Sequence, residues 1–295
     1  MLAKPFPSLA FAALLAGGIA IGFAGIMVRL TDVNPLASAF WRLALAAPLL
    51  WIWAIASASK DQEQGKRTDF SRPLFLAGAY FAGDMALWHL SLHYTTVANA
   101  TLLSNFAPIF IALWLGVVLK VRFSRLFLGG MGLALLGAAL LIAPNMAISD
   151  AAQAGRLWGD AFGLASAVFY AAYQLAIKDA RNAYSTARLM AWSSTITAVC
   201  LLPLALLAPG PFFPAELSGW LPLIGLALIA QIGGQTVIAY AFAHLPASLS
   251  SVSLLIQPLT AAIAAWLLFN EALGPVRLIG AALLLAGIWL SRRGS

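Results

Sequence analysis

Apolar runs of about 20 residues, separated by short polar breaks, recur along the whole chain. A helix rises 1.5 Å per residue, so each run is long enough to cross the roughly 30 Å hydrocarbon layer of a bilayer. The pattern predicts ten spanning helices, over 8–28, 36–57, 73–93, 98–118, 124–143, 158–178, 186–207, 218–242, 247–269 and 275–291. Of the connections, only 57–72 and 144–157 have any length, and neither is long enough to fold alone. The first run follows Lys4 and ends in small residues, as a signal peptide does, but its length reads as a spanning helix.

The polar positions inside these runs are few and ordered. In the third, Tyr80, Asp84, Trp88 and Ser91 share one helical face, with Asp84 near mid-depth. A carboxylate there costs several kcal/mol unless it meets a partner or water, which makes it a candidate functional group. Thr101, Asn105 and Pro108 line up in the fourth run, and Ser166, Tyr170, Tyr173 and Gln174 in the sixth. Gln231 and Gln235 share a face in the eighth. Taken singly, each stripe suits helix-to-helix hydrogen bonding. Together they predict a central cavity, with Tyr80, Trp88, Tyr170 and Tyr173 as apolar walls and Asp84, Asn105, Gln174 and Gln235 as orienting groups. Arg42, about two turns inside the second span, falls within roughly 5 Å of Asp84 in depth. Pairing with Asp84, pairing with Asp32 and snorkelling to the headgroups are all open to it.

The chain repeats itself. Residues 105–140 align without gaps on 255–290, which pairs Pro108 with Pro258, Gly130 with Gly280, Gly137 with Gly287, and, just upstream, Thr101 with Ser251. The division is 1–145 and 156–295, five spans in each part. Five is odd, so the second part enters the membrane inverted. Lysine and arginine fix the orientation: with the N-terminus in the cytoplasm, 13 fall on the inner side and 3, Arg29, Arg156 and Arg277, on the outer. The loop after the fourth span carries Lys120, Arg122 and Arg125, whereas its counterpart after the ninth carries Asn270 and Glu271. Inverted repeats with polar groups near the midplane are the pattern of a transporter that alternates access about a central site. Pro108 and Pro258 leave carbonyls without a helical donor and predict kinks, and Gly18, Gly22 and Gly25 predict a close crossing of the first span.

Composition sharpens this picture. The chain of 295 residues is 62% hydrophobic and 9% charged, against about 25% charged in soluble domains. The net charge of +7 sits in short loops and not on one folded face, which excludes a nucleic-acid partner. One cysteine, Cys200, permits no internal disulfide. His89 and His93 are four apart, but no third ligand or HExxH accompanies them, so a metal is not expected. No GxxxxGK[ST] and no GxSxG occurs, which argues against ATP hydrolysis and against an embedded hydrolase. No cofactor is expected.

Three stretches carry a resemblance: FWRLALAAPLL at 40–50, WHLSLHYTTVANATLLSNFAPIFIALW at 88–114 and the NEAL…RLIGAALLLAGIWL ending at 270–290. They resemble the paired five-helix EamA units of the drug/metabolite transporter superfamily, and the chain is similar to the YddG-type amino-acid exporters. The resemblance implies an all-α, ten-helix polytopic protein of the bacterial inner membrane, both termini cytoplasmic, exporting small metabolites with amino acids as the leading class. It also implies a buried arginine at Arg42. One departure stands out: such units usually carry a Glu after the fourth span, where this chain reads LKVRFS and keeps only Glu271 of the pair. The driving force is then the substrate's own gradient or a coupled ion, most simply a proton. The partners expected are a small-molecule substrate and the lipid bilayer. A rival exporter of the same fold would hold a cationic amine on Asp84 and the aromatics.

Overall fold

A computed structural model of the chain describes residues 7–94, 97–142, 153–269 and 274–295, and within them every side chain except 92, 93, 97–99, 153–156, 265 and 269. Lys4, Asn270 and Glu271, and the side chains of His93 and Arg156, lie outside the described residues. Those described form helices and loops, with no strand among them. In chain order the helices are α1 (Ser8–Gly22), α2 (Ala24–Arg29), α3 (Pro35–Ala56), α4 (Ala58–Glu63), α5 (Arg72–Tyr94), α6 (Val97–Ser104), α7 (Ala107–Val117) and α8 (Arg125–Ile142). There follow α9 (Gln153–Ala183), α10 (Thr186–Leu207), α11 (Trp220–Gly225), a π-helix (Leu226–Gln235), α12 (Thr236–His244), α13 (Ala247–Ser253), α14 (Ile256–Phe269) and α15 (Pro275–Gly294). Among the described residues, nine stretches are long and apolar enough to cross a membrane. The tenth span is α5, 23 residues long, whose Asp84, His89 and His93 dilute an otherwise apolar run. The protein is thus an all-α polytopic membrane protein of ten spans.

Several spans are built from more than one helix, and the sequence explains two of the joints. Pro108 and Pro258 have no N–H to give, so the helices stop just before them, at 105–106 and 254–255. The backbone tightens at both joints: the Phe106 N–H turns to Leu103 O at 3.1 Å, and the Leu255 N–H to Val252 O at 3.1 Å. Helix α9 runs 31 residues and ends well past the 178 expected from hydropathy. Its charged end is held by carbonyls: Lys178 Nζ donates to Phe242 O at 2.8 Å and Leu245 O at 2.9 Å, at the C-terminal end of α12. A cation there meets both unsatisfied carbonyls and the negative end of the helix dipole. The 57–72 connection is tied down as well. Asp61, 5% exposed, accepts 2.6 Å from Ser185 Oγ, and Ser185 caps α10.

Cα packing divides the chain into two compact units, each drawing on both halves of the sequence: Met1–Ala82 with Tyr173–Ala247, and Gly83–Ala172 with Ser248–Ser295. In the first, α3 and α10 run antiparallel. Asn34, the cap of α3, donates to Ala205 O near the end of α10, while Trp51 late in α3 donates to Thr195 Oγ1 nearer the start of α10. Helix α1 crosses the π-helix so closely that a Cβ on Gly17 would lie 2.8 Å from Gly234 O. Gly17 makes this approach, its neighbour Gly18 and Gly22 of the expected GxxxG are buried as well, and Gly25 meets nothing within 4 Å. Lipid tails are as apolar as leucine, so close backbone approach and not hydrophobic exclusion holds such helices together.

In the second unit, α8 and α15 make the inversion visible. A Cβ on Gly137 would lie 2.3 Å from Leu284 N and 2.6 Å from Gly280 O, and a Cβ on Gly287 would lie 2.3 Å from Ala134 N and 2.6 Å from Gly130 O. These four contacts exchange with one another when 105–140 is laid on 255–290. The matched helices therefore cross antiparallel about a local two-fold axis. A direct, uninverted repeat would make them parallel.

Candidate functional site

The first unit holds a buried polar chain. Asn34 caps α3 by accepting from the Ala37 N–H at 2.8 Å, and two turns later comes Arg42, 6% exposed. Arg42 Nε donates to Gln231 Oε1 at 3.1 Å, and Gln231 Nε2 donates to Ser194 Oγ at 3.1 Å. Gln231 and Ser194 are both fully buried. The guanidinium carbon stands 5.8 Å from the Phe81 ring centre, and Phe81 stacks on Tyr173 at 4.4 Å with 14° between planes. Gln231 and Gln235 both belong to the π-helix, a form that recurs at functional sites. Gln174 and Gln235 are 2% exposed each, and among the described residues neither Oε1 has a hydrogen-bond donor. Tyr80, half-buried on α5, belongs to this unit too.

In the second unit, Asp84 is 5% exposed and accepts a hydrogen bond from Ser166 Oγ at 2.6 Å. One face of α5 is zipped onto α9, because two turns on Ser91 Oγ donates to Gly159 O at 2.8 Å. Gly163 permits this approach: a Cβ there would meet Ser91 Oγ and Leu103 Cβ at 3.1 Å. The sequence put Asp84 and Ser166 on separate stripes; the structure brings them together. A stripe on each of two helices, seven residues between its polar members, was the available signal. Trp88 sets its ring edge-on to His89 at 4.9 Å, and His89, 4% exposed, holds Met85 O through Nδ1 at 2.6 Å. Tyr170 is half-buried on α9.

The polar positions beside the proline joints are more self-contained than their sequence stripes imply. Asn105 Nδ2 donates to Thr101 O at 2.8 Å, within its own span. Its repeat counterpart region behaves alike, with Ser251 Oγ donating to Ser248 O at 2.9 Å. Pro108 and Pro258 are buried, each near the start of the helix that follows its joint. Among the described residues, no group of three or more His, Cys, Asp or Glu stands together as a metal site.

Inverted five-span repeats with buried charged and amide groups define the class of polytopic membrane transporters. The chain belongs to the EamA-like transporter family, which matches residues 8–143 and again 157–293. It is 26% identical over 273 residues to an uncharacterized transporter of Archaeoglobus fulgidus, covering 91% of each chain. It is 27% identical over 253 residues to a probable terminal-alkyne amino-acid exporter of Streptantibioticus cattleyicolor, covering 84% of this chain and 83% of that one. A crystal structure 17% identical to it has the same fold, with a TM-score of 0.79 over 96% of this chain and 97% of that one.

Proposed function

We propose that the protein exports neutral or aromatic amino acids, or closely related small metabolites, across the bacterial inner membrane by alternating access. The observation that carries this reading is Asp84, a buried carboxylate midway along a spanning helix, held by the hydroxyl of Ser166. A carboxylate at that depth suits exchange onto a cationic species, the ammonium of an amino acid or a coupled proton. Thr101, Asn105, Gln174, Gln235 and Ser251 supply neutral hydrogen-bonding groups to the substrate. Tyr80, Trp88 and Tyr170 supply apolar faces, while Tyr173, fully buried, acts through the Phe81 ring it stacks on. The similarity to a probable amino-acid exporter supports the substrate class. The 13-to-3 split of basic residues supports cytoplasmic termini, and the division at 1–145 and 156–295 supplies the two inverted halves of the cycle.

Purified protein in liposomes, given a panel of labelled amino acids with and without a pH gradient, tests the reading. Uptake of several neutral amino acids and rejection of acidic ones is expected, because an extra carboxylate would face Asp84. A hydrophobic pocket separates neighbours by only about 1–3 kcal/mol per methylene, so selectivity among apolar side chains is broad. Strong competition by a lipophilic cation with no response to neutral amino acids would give the protein to the cationic-amine exporters of the same fold.

A further inference from the structure

Four side chains of the first unit, Trp51, Phe70, Arg188 and Trp192, gather at the end where α3 stops and α5 and α10 start. We propose that they form a binding site for an anionic phospholipid of the cytoplasmic leaflet, with Arg188 on the phosphate and Trp192 on an acyl ester carbonyl. The inference goes beyond the amino-acid reading and does not depend on it. It rests on the orientation set by the basic residues, which turns this end of the helices toward the cytoplasm.

Arg188 and Trp192 are four residues apart on α10, so they share a face, with Trp192 about 6 Å deeper. The Arg188 guanidinium carbon stands 5.6 Å from the Trp51 ring centre. Trp51 is itself fixed, since its indole N–H donates to Thr195 Oγ1 at 2.9 Å. Trp192 meets two rings, edge-on to Trp51 at 5.0 Å and tilted against Phe70 at 4.7 Å. The platform is built, but its donors are unused. Among the described residues, Arg188 Nε and Trp192 Nε1 are buried without an acceptor, and no acid or carbonyl meets the rest of the guanidinium. Asp61 reaches the same end of α10, accepting from Ser185 Oγ three residues before Arg188, but no ion pair joins it to Arg188. A buried N–H without an acceptor is costly, and arginine cannot shed its proton to escape the cost. The neighbouring surface is apolar and outward, with Ile52, Ile55 and Phe70 exposed, as contact with lipid requires. A phospholipid carries acceptors at two depths, its phosphate at the headgroup and its ester carbonyls beneath, in the same order as the two donors. Inorganic phosphate would meet Arg188 and leave the deeper Trp192 N–H bare. Anionic lipids enrich the cytoplasmic leaflet, and basic pockets between spans on that side suit their headgroups.

The test titrates delipidated protein in detergent with phosphatidylglycerol, phosphatidylcholine and inorganic phosphate, and counts bound lipid by native mass spectrometry. Wild type should hold one phosphatidylglycerol about 10-fold more tightly than phosphatidylcholine, whose own ammonium competes for the phosphate. Inorganic phosphate should not displace it. Arg188→Gln should lose the preference, Arg188→Lys, charged but unforked, should keep part of it, and Trp192→Phe should weaken both lipids several-fold alike. Lys60→Gln removes an exposed charge on the same side and should change nothing. Equal losses from Arg188→Gln and Lys60→Gln would reduce the preference to diffuse surface charge and overturn the site. Displacement by inorganic phosphate would overturn the lipid assignment. Arg188→Lys and Trp192→Phe read the same site should Arg188→Gln fail to fold, and wild-type binding in both would overturn it. The amino-acid reading stands or falls separately, on the uptake panel.

Discussion

The crossing of α8 and α15 allows a mutational experiment with internal controls. Ala at Gly137 would place its Cβ 2.3 Å from Leu284 N, against 3.4 Å for ordinary contact, so the two helices must part by 3.4 − 2.3 = 1.1 Å. The obstacle is backbone, which has no rotamer to yield. Ala gains about 1 kcal/mol over Gly in helix propensity, while overpacking costs about 1–3 kcal/mol. The upper part of that range applies where both surfaces are main chain. Gly129 and Gly132 lie on the same helix with nothing within 4 Å of a built Cβ. Gly129→Ala and Gly132→Ala therefore keep the propensity gain, and Gly137→Ala should fall below them by about 2–3 kcal/mol, roughly 30- to 150-fold in the unfolding equilibrium. Gly287→Ala should match Gly137→Ala, since its Cβ would meet Ala134 N at the same 2.3 Å. Unfolding by SDS in mixed micelles measures all four. Equal stability of Gly137→Ala and Gly129→Ala would refute the close crossing. Unequal costs at 137 and 287 would refute the local two-fold.

Asp84→Asn preserves the shape and an acceptor for Ser166, so we expect normal membrane levels with transport strongly reduced or made insensitive to pH; a wild-type rate and pH profile would make the buried carboxylate a packing group. Asn34→Ala removes the cap of α3 and the amide bond to Ala205 O, which should cost about 1 kcal/mol in the same SDS titration. Single cysteines in the 60–67 connection, on a Cys200→Ala background because Cys200 is exposed, should resist an impermeant thiol reagent in intact cells. Ready labelling from outside would reverse the orientation.

Hydropathy placed the spans because crossing a bilayer demands a length that the sequence displays directly. The inversion was readable too, since an odd number of spans per repeat admits no other arrangement. Other features depend on which helices touch. Ser166 and Asp84 sit on polar stripes of different spans, and no periodicity says that those stripes face each other. Gly17 closes on Gly234 beside the motif's buried Gly18 and Gly22, and spacing alone did not single it out, because it does not give the direction of the partner helix. The π-helix over Leu226–Gln235 left no legible mark: its residues differ little from those of an ordinary apolar span. Helix α9 outran its hydropathy because Lys178 found carbonyl acceptors on α12, a tertiary contact that no window of sequence contains.

The same chain holds its spans together in two contrasting ways. Where α8 meets α15, main chain lies against main chain and a methyl group is already too much, so the pair can move only as one body. At the two proline joints the helical ladder is interrupted, and the missing N–H groups of Pro108 and Pro258 leave the carbonyls four residues earlier without their usual donors. Non-helical backbone at membrane depth persists only where protein or water satisfies it. In transporters built on inverted repeats, interrupted spans of this kind occupy corresponding positions in the two halves and line the substrate path. Pro108 and Pro258 meet the first condition by their register in the repeat. Their neighbours bear on the second: the side chains of Ser104, Asn105 and Ser251 donate within their own spans. A polar group that closes its bonds locally can sit beside a passing substrate without demanding a fixed partner there. The charged groups do the opposite. Asp84 and Arg42 each bond a neutral residue on another helix, Ser166 and Gln231.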